Sequence, residues 1–92
     1  KEIDIPNEFK KAVNFVRSSD NKVVVSDDVK LEFYGLYKTA LGNEYQELSL
    51  LSSLNPVKSR KNAAHKKHKN KSQLEAMVEY ITLCQNLLNY KM

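Results

Sequence analysis

Tyr34, Tyr37 and Lys38 lie within one stretch, EFYGLYKTALGN, running from Glu32 to Asn43. These residue types offer two kinds of chemistry. A phenol ring gives a flat face for stacking and a hydroxyl at its rim, and an ammonium forms charge-assisted hydrogen bonds to phosphate. At about 100° per residue, Tyr34, Tyr37, Lys38 and Leu41 share one face of a helix, with Leu31 beside them. Leu36 and Ala40 carry apolar character around the side. Tyrosines of this kind are often core residues with wet hydroxyls. A helix needs only one face for a core, however, and the lysine sharing the tyrosine face suits a ligand with both a flat ring and phosphate, such as a nucleotide.

The elements that must position these residues read as helices. From Asn7 to Ser18, the residues Phe9, Ala12, Val13 and Val16 form one apolar stripe, and Asn7 is the expected N-cap. Ser19 to Val25 reads as a linker whose valines pack down. Ser26-Asp27-Asp28 opens a second helix, with a serine cap and acids at its positive end. That helix is expected to run to about Leu41, where Gly42 supplies a left-handed stop. Asn43 to Leu54, with Leu48, Leu50, Leu51 and Leu54, reads as mostly irregular. Asn55-Pro56 starts a third helix, which has almost no large apolar residues. Ser72 to Glu75 is a capping box. After it Ala76, Met77, Tyr80, Ile81, Cys84, Leu87 and Leu88 make a stripe ending near Tyr90.

Tyr34-Gly-Leu-Tyr37-Lys38-Thr-Ala40, followed by Gly42, resembles the Tyr-x-x-Tyr-Lys-x-Ala…Gly signature of acyl-CoA-binding domains. The likeness extends to Phe9, Ala12, Val16 and Arg17, to Ser26-Asp27-Asp28, and to Ala76-Met77 with Tyr80. It implies an all-α fold, a four-helix up-down-down-up bundle of the acyl-CoA-binding-protein type. It implies a carrier rather than an enzyme, binding medium- and long-chain fatty acyl-CoA, with no cofactor. By the resemblance, Tyr37 faces the adenine ring, Tyr34 donates its hydroxyl to a phosphate, and Lys38 pairs with the 3′-phosphate. Lys61 is the second phosphate cation, with Lys58 or Arg60 as alternatives. Tyr80 faces the cleft and Arg17 lies near the adenine.

The third helix departs from the family's pattern. Two tryptophans that normally anchor it are replaced by Asn62 and His65, and a further apolar position by His68. The chain has no tryptophan at all. The leucines around Leu48 to Leu54 are expected either to refill that space or to reshape the acyl site and its chain-length preference. If neither restores binding, the fold becomes a protein-interaction module that has lost its ligand.

Other features bound the function. The run from Lys58 to Lys71, KSRKNAAHKKHKNK, is basic with no acid. It suits a solvated face, an anionic membrane surface, a protein partner or, as a second class of function, a nucleic-acid or nuclear-import patch. No aromatic is interleaved in it, which counts against nucleic acid. His65 and His68 stand at i, i+3, but two ligands do not make a structural zinc site, and no metal is expected. Cys84 sits on an apolar stripe with no histidine on its own helix, so it reads as packed. Ser26 and Ser72 are caps, and two glycines cannot form a phosphate loop. The 92-residue length fits one domain, residues 1–92, expected as an excised part of a longer protein and as a monomer. With a single cysteine and no membrane-length apolar run, a reducing, cytoplasmic setting is expected.

Overall fold

A computed structural model describes residues 3–19, 26–43, 49 and 54–91. Among these residues there are four helices and no strand: α1 (Ile5–Ser19), α2 (Asp27–Ala40), α3 (Pro56–His68) and α4 (Gln73–Leu88). The Ser19–Val25 linker lies outside the described residues apart from the end of α1. Leu48, Leu50 and Leu51 lie outside them, so the expected refilling by leucines can be followed only at Leu54, which is 73% exposed and fills no space in the bundle.

Most helix ends follow local chemistry. The Ser26 hydroxyl accepts the Val29 N–H at 3.3 Å, and Asp27 and Asp28 occupy the first turn. At the other end Gly42 adopts φ +79°, and its N–H and that of Asn43 return to the carbonyls of Thr39 and Lys38. Asn55 caps α3 by accepting the N–H groups of Val57 and Lys58 at 3.0 and 3.2 Å, with Pro56 in the first turn. Ser72 and Glu75 form the reciprocal capping box.

Two ends differ from expectation. Asn7 lies inside the first turn of α1 rather than capping it. Asp4 takes that part, its carboxylate accepting the Asn7 N–H at 3.3 Å and its carbonyl the Glu8 N–H. Pro6 then falls in the first turn, where a missing N–H costs nothing. Helix α4 stops at Leu88 rather than near Tyr90. Asn89 terminates it in the left-handed conformation, φ 55°, one of the few non-glycine residues that tolerates this. Leu87 also faces solvent, so the buried stripe passes through Leu88 alone there.

Ring contacts fix how the helices run. Tyr80 of α4 meets Phe9 of α1 and Phe33 of α2 edge-on, each at 5.1 Å between centroids. Phe15 meets Tyr90 further along, so α1 and α4 are parallel. Gln73 at the start of α4 donates to the Ala40 carbonyl at the end of α2, so those two are antiparallel. The core fills with Phe9, Ala12, Val13, Phe33, Leu36, Ala40, Ala76, Tyr80, Ile81, Cys84 and Leu88. Helix α3 packs on α2, with a close approach of the Ala64 backbone at Gly35.

Helix α3 is anchored by polar groups. Ala64, His65 and His68 are its buried residues, the two histidines only 7% and 3% exposed. Nε2 of His65 bonds the Asn43 carbonyl at 3.1 Å. Nε2 of His68 donates to the Glu32 carboxylate at 3.1 Å, and the Thr39 hydroxyl donates to the His68 carbonyl at 3.3 Å. Lys67 adds a 2.7 Å bond to the same carboxylate. Each His Nε2 is thus bonded to a different partner on the α2 side. Among the described residues, Nδ1 of His68 is buried with no hydrogen-bond partner. Two buried imidazole rings and the hydrogen bonds around them therefore hold α3 against α2.

This cluster predicts a pH response. Burial by itself raises the Glu32 carboxyl, but the Lys67 bond and the His68 and Lys67 charges outweigh it and hold the group below the usual carboxylate range. A carboxyl lowered in the folded state stabilises fully above its unfolded value. That contribution is lost as pH falls through the folded value. Urea unfolding at successive pH values should show stability declining across the acid range. In Glu32→Gln that decline should be shallower, and an identical slope would refute the assignment.

Candidate functional site

Helices α1, α2 and α4 leave a groove of about 180 Å³ lined by Val13, Arg17, Lys30, Phe33, Tyr34, Tyr37 and Tyr80. Four of the six residues singled out in the sequence, Arg17, Tyr34, Tyr37 and Tyr80, meet here from three helices. The two tyrosines of α2 are three residues apart, so both face the groove while Leu36 and Ala40 turn to the core.

The remaining two residues flank this groove. The Lys38 ammonium lies 5.7 Å from the centroid of the Tyr34 ring, and that of Lys61, from α3, lies 5.4 Å away. Both distances are within cation–π reach. Of the three basic candidates on α3, Lys61 is therefore the one brought to Tyr34. Arg60 instead lines a cleft of about 550 Å³ with Asp28, Leu31, Glu32, Ala63, Ala64 and Lys67. By helical geometry that cleft lies on the opposite face of α2 from the tyrosine groove.

Electrostatics suit the groove to anions. The Arg17 guanidinium donates to the Tyr37 hydroxyl at 3.5 Å. Lys30 adds a further cation to the wall, so Arg17, Lys30, Lys38 and Lys61 surround two phenol rings. Lys30 was not among the sequence candidates. Its place at i−4 from Tyr34 is the signal that would have found it. Tyr80 is 4% exposed yet forms part of the groove wall. Burial, with Cys84 and Tyr37 nearby, pushes its phenol above the ordinary value against the opposing effect of Arg17. Its hydroxyl thus stays protonated at neutral pH and available as a donor. Cys84 is wholly buried and burial pushes its thiol up to about 12, so it is an inert packing residue and not a nucleophile.

Compared with known families, residues 6–84 match the one described as Acyl CoA binding protein. The chain belongs to the acyl-CoA-binding protein family. The match runs from the second residue of α1 through α2 and α3 and along α4 as far as Cys84, so all four helices take part in it. Comparison with curated proteins and with solved structures gave no match. As an acyl-CoA-binding protein family member, the chain combines the expected tyrosine–lysine face of α2 with a third helix held by histidines. Among the described residues no helix is long and apolar enough to cross a membrane.

Proposed function

We propose that this chain is a carrier of medium- and long-chain fatty acyl-CoA thioesters, with the CoA head held against the Tyr34–Tyr37 face. One observation carries the reading: two ammoniums from different helices converge on the Tyr34 ring at the edge of a groove walled by phenols. Like charges brought to one ring repel each other, and a phosphate between them turns that repulsion into two charge-assisted bonds.

The roles are those that the family resemblance implies, and the reach of these side chains supports them. Lys38 and Lys61 take the 3′-phosphate, and the Tyr34 hydroxyl donates to a phosphate oxygen. Tyr37 offers its ring to the adenine, with Arg17 bonded to its hydroxyl at the same rim. Stacking of this kind contributes about 1–3 kcal/mol per base. Tyr80 supplies a protonated hydroxyl deeper in the groove. Nothing in this set activates a nucleophile, so the reading is binding without chemistry on the ligand.

Isothermal calorimetry with palmitoyl-CoA and with CoA alone tests this. Both are expected to bind, the thioester more tightly because its chain also leaves water. If neither binds folded protein at micromolar concentration, the carrier reading fails. The chain is then an interaction module on a family fold.

A further inference from the structure

The first two turns of α3 differ from the rest of the bundle. Residues 54 to 61 are all exposed, and the helix gains a buried residue only at Ala64. A helix segment with no buried face ordinarily displays polar residues all round. Here Leu54 is 73% and Val57 60% exposed, and they are three residues apart at the tip of the helix. At about 100° per residue, Arg60 falls to one side of Val57, and Lys61 and Lys58 to the other. Helix α3 has no acid in its first turn. Lys67 is committed to Glu32 and Lys71 to Glu79. Lys58, Arg60 and Lys66 form no ion pair among the described residues.

We infer that this projecting end of α3 is a docking element for an anionic lipid bilayer surface, with Leu54 and Val57 entering the interface and Lys58 and Arg60 meeting the headgroup phosphates. The composition selects this occupant. Long basic side chains beside aliphatic ones lay their stems on the apolar region and keep their charges at the phosphate level. For single-stranded nucleic acid the element offers no ring for base stacking. A second copy of the chain would place like charges against each other. The inference does not depend on the ligand reading, because docking needs neither the groove nor acyl-CoA. It does place a bilayer beside the groove, since Lys61 on the same turns reaches the Tyr34 ring.

The test is flotation of the full chain, without acyl-CoA, with phosphatidylcholine vesicles containing or lacking phosphatidylserine. Binding should require phosphatidylserine and weaken with added salt. The double variant Lys58→Glu, Arg60→Glu should bind at least about tenfold more weakly, given the contribution of each basic residue near such a surface. Leu54→Ser with Val57→Ser should also lower binding, and should do so most at high salt, where the apolar contribution remains. All four side chains are exposed, so far-ultraviolet circular dichroism should show the variants folded. Equal binding to both vesicle types overturns the proposal. So does undiminished binding in the Leu54→Ser, Val57→Ser variant, or equal affinity for duplex DNA, because each reduces the element to a general polyanion patch.

Discussion

Lys38→Ala is expected to weaken binding of palmitoyl-CoA roughly ten- to a hundredfold. A hydrogen bond to a charged group is worth about 1.5–3 kcal/mol, and each 1.4 kcal/mol is a factor of ten. The loss should appear equally with CoA alone, because the proposed role of the lysine is to hold the head and not the acyl chain. Added salt should narrow the difference between the variant and the parent, since the missing interaction is ionic. Lys61→Ala should act on the same phosphate, so the double variant should lose less than the two single losses combined. Calorimetry on the four proteins measures this coupling. Additive losses would mean the two lysines serve different groups. An unchanged affinity in Lys38→Ala would remove the phosphate assignment altogether.

The second large effect concerns Gly35→Ala, and here its sign is the test. In an ordinary helix interior this change stabilises by about 0.5–1 kcal/mol, because alanine loses less freedom on folding. At Gly35 an added Cβ would collide with the Ala64 carbonyl of α3 and come within 2.8 Å of the His68 ring. Backbone cannot swing aside as a flexible side chain can, so α3 must move outward. Overpacking of this kind costs about 1–3 kcal/mol. The movement also strains the His68–Glu32 bond and draws Lys61 away from the Tyr34 ring. Chemical denaturation should therefore show a lower midpoint, and palmitoyl-CoA affinity should fall in the same variant. A gain in stability would mean that α3 does not approach α2 closely at this point.

What the sequence revealed, and what it hid, have separate physical causes. Ser26, Gly42, Asn55, Ser72 and Glu75 act on backbone groups within three residues, and each was legible because capping is local. Asp4 was missed because Asn7 offered an equally good cap three residues on, and only the position of the first buried turn decides between them. The tyrosine–lysine face was legible because one helix carries all of it. Lys61 was an uncertain choice among neighbouring cations, since rotation and depth of α3 select the lysine and neither is written in a run of basic residues. Least visible was the anchoring of α3. Histidine counts as polar in any hydrophobic pattern, so His65 and His68 looked like lost anchors. Their burial depends on Glu32, Thr39 and Asn43, residues more than twenty positions away.

Tyr80 belongs to two places at once. It is held by Phe9 and Phe33 in the core, and it forms part of the groove wall. A molecule seated in that groove rests on a residue the fold itself depends on, so occupancy and folding are linked equilibria. At a free ligand concentration of a hundred times Kd, that linkage adds about 2.7 kcal/mol to stability. Proteolysis samples the opened chain, so filled copies should survive longer than empty ones. If the proposed carrier reading holds, the amount of this protein in a cell would then follow the supply of its ligand, with no separate sensor required.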